Sequence, residues 1–219
     1  MNIGLIGGTG EEGKGLALRW AMAGARVVLG SRTIERAQAA AQEVNELLGS
    51  NRVSAAINSE AVRGSELVLL TVPFEHAGAT LESHRDDFAA GSILIDITVP
   101  VVFAKGRVEY AEPPEGSASE HLQKLLPPTV PLVAAFKTEP AHMMLDPGAR
   151  LDCDSFVAGD SKEARHRVID AIKAIDGLRP IDAGPIYAAR ALERMTMLLI
   201  GLNRRYKVRT GRFQVLGLP

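Results

Sequence analysis

The chain is short of the side chains that build metal and disulfide chemistry: 219 residues carry one cysteine, one tryptophan and five histidines, with aromatics at 5%. The lone Cys153 has no partner for an internal bridge and no ligand-like neighbours, so nothing calls for an oxidising compartment. His76, His84, His121, His142 and His166 are scattered without ligand spacing, and no metal site is expected. An excess of one charge is also missing. With 25 Lys and Arg against 26 Asp and Glu, the net charge of -1 favours neither nucleic acid nor an anionic membrane as partner. No apolar run reaches the ~20 residues needed to span a bilayer. A strand pattern starts at Asn2 and leaves no room for a signal peptide, so the expectation is a cytoplasmic protein acting on a small-molecule substrate.

Glycine is plentiful, and its placement is informative. Asn2 to Ile6 reads as a short buried strand, broken by Gly7 and Gly8; Gly8, Gly10 and Gly13 then follow the spacing G-x-G-x-x-G. From Lys14 to Ala23 the apolar positions recur at helical spacing, Gly24 stops the helix, and Arg26 to Leu29 resumes a strand. In this strand–turn–helix–strand context, Gly8 is expected to permit the reversal, Gly10 the approach of a pyrophosphate, and Gly13 close helix–sheet packing. Unpaired amides at the helix start would face the phosphates.

The end of the second strand selects the dinucleotide. An NAD site usually carries Asp or Glu there, whereas this chain has Ser31 and Arg32, with Arg36 one turn later. A hydroxyl and two guanidinium groups suit a 2′-phosphate, so NADP is expected over NAD. The alternative is a solvated helix start that happens to carry two arginines.

The remaining pattern alternates helix and strand. Helices are expected over Ile34 to Leu48, Phe74 to Leu81, Ser119 to Leu126, Lys162 to Ile175 and Ile186 to Arg204. Strands are expected at Val53 to Ile57, Leu67 to Val72, Ser92 to Asp96, Pro131 to Phe136, Asp154 to Ala158 and Leu178 to Asp182; Asn58 to Gly64 reads as a polar connection and Val101 to Pro128 as mostly loop. The fold class is α/β, a Rossmann-type doubly wound, mainly parallel sheet with a small carboxyl-terminal part. Residues 1–140 are assigned to NADP binding and 141–219 to a substrate or dimerisation part. Because ligands lie outside the carboxyl ends of such strands, Val72, Pro73 and Val99 are expected near the nicotinamide. Lys137 is a cation at another strand end, where it either orients a substrate or is solvated.

The stretch GLIGGTGEEGKGLALRWAMAGARVVLGSR, the downstream DGLRPIDAGPI and a closing helix rich in Leu and Met resemble the NADP-dependent oxidoreductases of the 8-hydroxy-5-deazaflavin coenzyme F-420. The resemblance implies a homodimer in which hydride passes directly between nicotinamide and deazaflavin, without a metal. It implies that Thr9, Ser31, Arg32 and Arg36 hold the 2′-phosphate side, and that Gly8, Gly10, Glu11 and Glu12 form the turn under the pyrophosphate. Val72, Pro73, Val99 and Ala135 would line the nicotinamide end. Lys137 departs from the family's pattern of His or Asn after this strand, which leaves a flavin, quinone or imine-like acceptor open; a sensing module that binds NADP without turnover is a separate alternative. The arginines and lysine between Arg190 and Arg212 face one acid, Glu193; they would bind the coenzyme's anionic tail or form an ordinary cationic helix end.

Overall fold

A computed structural model describes residues 1–104 and 107–218. Strand β1 (Asn2–Ile6) leads through the glycine turn into α1 (Glu11–Met22), β2 (Arg26–Ser31), α2 (Ile34–Leu48), β3 (Val53–Ile57), α3 (Asn58–Arg63) and β4 (Leu67–Leu70). Next come α4 (Phe74–Ser83), β5 (Ile93–Asp96), a hairpin of β6 (Val101–Ala104) and β7 (Arg107–Tyr110), α5 (Ala118–Gln123) and β8 (Leu132–Ala134). A short α6 (Ala141–Met144), β9 (Cys153–Ala158), α7 (Lys162–Lys173), β10 (Leu178–Gly184) and α8 (Ala189–Tyr206) complete the order.

One eight-stranded sheet runs β10-β9-β8-β5-β4-β1-β2-β3. All neighbours are parallel except β8 and β9, which are antiparallel. The sheet crosses residue 140 without interruption, so β9 and β10, which the sequence reading puts in a carboxyl-terminal part, extend the same sheet. The central strand β4 is apolar and buried at every position because both faces of the sheet are covered. Ile3, Leu5, Leu67, Leu69, Ile93 and Ile95 pack under α1, α2 and α7, with Trp20 among them. Ile6, Val68, Leu70 and Leu94 turn to the other face, against Leu81 of α4, Leu122 of α5 and Leu192 of α8.

Two segments differ from expectation, and a third carries none. The polar connection at 58–64 forms α3, packed so tightly on β1 that a Cβ on Gly4 would lie 2.1 Å from the Ala61 carbonyl oxygen. The segment from Val101, expected to be loop, opens with the β6–β7 hairpin, whose four-residue strands, with exposed and half-buried positions alternating in β7, are too short to register as a strand pattern. Helix α6 has four residues, too short for periodicity, and is held in place by Arg19. That buried guanidinium donates to the carbonyls of Met143, Met144, Asp146 and Ala149 at 2.6–3.0 Å.

Candidate functional site

The chain leaves β1 for β2 on one side and later returns to β4 on the other, so the carboxyl ends of β1 and β4 form the switch point where such sheets bind ligands. The glycine turn lies there, with its roles distributed differently from expectation. Gly7, at φ +73°, makes the left-handed reversal assigned to Gly8, and its Cβ would sit 2.3 Å from Val72. Gly8 is buried, and its amide donates to the Gly30 carbonyl at 3.0 Å. A Cβ on Gly10 would meet nothing within 4 Å, and no side chain caps α1 at this residue, so its first amides stay open to an anion. Asn58 braces the turn from behind, accepting the Gly7 amide at 3.2 Å.

Gly13 fits the expectation of close packing, since a Cβ would lie 2.7 Å from the Gly8 carbonyl oxygen. Gly13→Ala is therefore expected to push the turn out of shape and weaken NADP(H) binding at least ~10-fold, a loss of about 1.4 kcal/mol. Fluorescence titration with NADPH checks this.

At the end of β2, Ser31 is buried while Arg32 and Arg36 are exposed, and neither arginine is engaged by a carboxylate among the described residues. Thr9, half-buried, begins the opposite side of the turn, with its amide on the Gly7 carbonyl. Val72 and Pro73 follow β4 as expected. Ala135 does not present its side chain to a ligand: it is fully buried in the core with Trp20 and Phe136.

Beyond the turn opens a cleft of about 540 Å³. Glu11 and Glu12 form one wall, Ile97, Val99 and the segment 136–142 the floor, and Thr196, Leu199, Ile200 and Asn203 of α8 the other wall; Val208, Arg209 and Gly211 of the closing tail cross over it. Phe136 turns the floor with φ +53°, held edge-on to Trp20 at 5.2 Å. The turn sends Lys137 inward and brings Glu139 toward the start of α1.

Glu12 and Glu139 are the unusual acids of the cleft. Burial, with the neighbouring Glu139 and Glu11 charges, pushes the Glu12 carboxyl up to about 8. Burial pushes Glu139 to about 7, against the Thr138 amide that donates to its Oε2 at 2.9 Å. In the unfolded chain both titrate near the ordinary 4.5. The folded chain thus keeps protons that the unfolded chain gives up. This stability is fully present below about pH 4.5 and is lost as pH rises through about 7 to 8. Glu12→Gln is accordingly expected to raise the melting temperature at pH 9 relative to its effect at pH 5, by roughly 5 °C for about 2 kcal/mol. Calorimetric scans at the two pH values check this.

Lys137, expected to present a cation to substrate, does not. Although it lies along the cleft, its side chain is 1% exposed and its ammonium turns into the protein. It donates to Asp96 Oδ2 at 2.9 Å and to the Thr98 carbonyl at 2.5 Å, and stands 3.3 Å from Glu193 Oε1. Ser119 Oγ donates to the same Asp96 oxygen, and Thr98 satisfies the other one through its amide and hydroxyl. Glu193 also accepts the Tyr110 hydroxyl and the Ala118 amide. The lysine is thereby the centre of a dry network that ties α8 to β5, β7 and the start of α5. A charge pair buried from water is stable only when its remaining hydrogen-bond capacity is filled, as here.

The closing cations divide in the same way. Arg190 is bidentate to Glu120, and Arg194 pairs with Glu112 over the Tyr110 ring. Arg204 and Arg209 reach the cleft, where Arg209 stands 3.4 Å from Glu11. Cys153 is buried and its thiol pushed up to about 12, which removes it as a nucleophile. Among the described residues no cluster of His, Cys, Asp and Glu is arranged to hold a metal, and no helix is long and apolar enough to cross a membrane.

Residues 2–100 match the family described as NADP oxidoreductase, coenzyme F420-dependent. Over its whole length the chain is 39% identical to a Methanothermobacter thermautotrophicus protein named F420-dependent NADP reductase, of which it covers 96%. It is 36% identical to a protein of the same name from Methanocaldococcus jannaschii, across 94% of each. The solved structure of an Arthrobacter sp. FB24 protein has a TM-score of 0.83 at 27% identity, covering 98% of this chain and 99% of that one. A Streptomyces aurantiacus imine reductase, at a TM-score of 0.62 and 19% identity over 94% of this chain and 64% of that one, shares the fold alone.

Proposed function

The chain belongs to the family of coenzyme F-420-dependent NADP reductases, and on that premise we propose that its cleft brings NADP(H) and the deazaflavin together for direct hydride exchange. The observation that carries the reading is the open, uncapped start of α1 beside a cleft walled by α8, with two exposed arginines at the end of β2 that no carboxylate engages among the described residues. The first feature suits a pyrophosphate, the second a flat ring pair, and the third a 2′-phosphate.

NADP(H) carries the hydride and coenzyme F-420 exchanges it, so the protein has little covalent chemistry to perform. Its residues bind, orient and exclude water. The amides after Gly10 hold the pyrophosphate; Thr9, Ser31, Arg32 and Arg36 hold the adenosine end; Val72, Pro73 and Val99 contact the nicotinamide. Residues 1–140 supply most of this dinucleotide site. From 141–219, α8 and the tail close the deazaflavin side, with Arg204 and Arg209 toward its anionic tail. Lys137 acts at one remove, by fixing α8.

The test is steady-state oxidation of NADPH by coenzyme F-420 with the pure protein, followed by loss of deazaflavin absorbance, with NADH as comparison. Turnover with NADPH well above NADH is the expected result, and no turnover at saturating substrates removes the reading. We also propose a cytoplasmic homodimer joined through Leu198, Leu202 and Tyr206, which stand exposed one helical turn apart on α8. Sedimentation at micromolar concentration tests it; a monomer there rules it out.

A further inference from the structure

The start of α1 is an odd place for acid. A helix N-terminus open to a pyrophosphate is here flanked by three carboxyls, Glu11, Glu12 and Glu139, all lining the cleft. Three ionised carboxylates around a dianionic pyrophosphate would oppose its binding. Glu11 is compensated, since Arg209 stands 3.4 Å away and His142 3.7 Å away.

Among the described residues no cation forms an ion pair with either of the other two. Lys137, the nearest in sequence to Glu139, turns its ammonium to Asp96 and Glu193 instead. Lys14, two residues beyond Glu12, is taken by Glu43 at 2.6 Å. Each acid also has one buried oxygen without a partner, Oε1 in both. From β9, Cys153 adds no positive charge, and the Ser155 hydroxyl lies beside Glu139 without a formed bond. Arg212, on the tail, is spent on the carbonyls of Asp152 and Thr210. A buried carboxylate oxygen with neither cation nor donor is costly, and a proton on the carboxyl removes both the charge and the orphaned acceptor.

We propose that Glu12 and Glu139 form a proton-holding pair in the cleft floor, and that NADP(H) binds the protonated pair and not the ionised one. This rests on the dinucleotide reading of the cleft. The raised affinity of both groups for protons, up to about 8 and about 7, puts the switch just above neutrality. A bound pyrophosphate strengthens it twice, by adding negative charge beside Glu12 and by displacing water from the cleft. Binding therefore takes up protons, and affinity falls on the alkaline side.

The experiment is titration calorimetry of the full chain with NADP+ between about pH 7 and 9, repeated in buffers of different ionisation enthalpy so that protons are counted directly. In this range the 2′-phosphate, with its second pKa near ~6, is already dianionic, so the counted protons belong to the protein. The native chain should take up less than one proton near pH 7, rising toward about two near pH 9, one for each carboxyl. Its Kd should weaken well over tenfold from pH 7 to 9, since each linked proton adds up to about tenfold per pH unit. Glu12→Gln should cut the uptake to the one proton of Glu139, centred near neutrality, and flatten the Kd profile above about pH 8; Glu139→Gln should leave one proton and move its uptake to lower pH, by removing a repelling charge. Tight native binding with no proton uptake and a flat profile overturns the pair alone, as does undiminished uptake in both variants. Absence of NADP+ binding at every pH sinks the dinucleotide reading and the pair with it. Should either variant fail to fold, the native proton count decides.

Discussion

Lys137→Met should melt about 10 °C below the native chain while leaving NADPH recognition at the β2 end unchanged. Among the described residues the ammonium is the cation that bridges Asp96 and Glu193, at 2.9 and 3.3 Å, and both acids are fully buried. Without it two carboxylates face each other in the interior and the Thr98 carbonyl loses its donor. Removing one partner of a buried pair costs about 3–5 kcal/mol, and in a chain of this size each kcal/mol lowers the melting temperature by about 2–4 °C. The hydrogen bond from Thr196 on α8 to the Lys137 carbonyl means that the strain reaches the cleft wall, so kcat falls as well. A Lys137→Met/Glu193→Gln double variant should recover part of the lost stability, because one stranded charge is gone. If the single variant instead melts within about 2 °C of the native chain and only the KM for coenzyme F-420 rises, the lysine meets substrate and the network reading is wrong.

Lys137 marks the boundary of what the sequence makes legible. Periodicity and glycine spacing identify β1, α1 and β2 because each is a local pattern, and local patterns survive without knowledge of tertiary neighbours. They misassign the reversal between Gly7 and Gly8, since spacing cannot tell a left-handed residue from one whose Cβ meets another strand. They also cannot say which way a side chain turns at a strand end. Lys137 follows an apolar strand, and whether its cation faces solvent or core depends on Asp96, Ser119 and Glu193, from three distant segments. One signal was available: an acid closing the apolar run Ser92 to Asp96 marks a charge that burial would force to find a partner. Glu139 gave no such signal, because KTEP reads as an ordinary polar turn until α1 is seen beside it. The tail over the cleft was equally silent, being set by single contacts such as the Gly211 amide on Asn203.

The second large effect concerns the choice between the two nicotinamide carriers. Arg32→Ala should raise the KM for NADPH about 10- to 100-fold and that for NADH by less than about twofold. The estimate follows from losing charge-assisted hydrogen bonds worth about 1.5–3 kcal/mol, at about 1.4 kcal/mol for each factor of ten. Two observations make Arg32 available for this work: it is exposed at the end of β2, directly after the buried Ser31, and no carboxylate engages it among the described residues. Arg36 stands one turn further into α2 and should contribute less alone, but Arg32→Ala/Arg36→Ala should erase most of the preference for NADPH, because either guanidinium otherwise partly covers for the other. Lys at position 32 should restore only part of it, since an ammonium gives charge without the planar fork that grips two phosphate oxygens. Raising ionic strength should weaken NADPH binding to the native chain more than to the double variant, the contact being exposed and therefore screened. Equal losses for both carriers in Arg32→Ala would mean that the residue supports the turn and does not read the phosphate, and the selectivity would then have to come from Thr9 and Ser31.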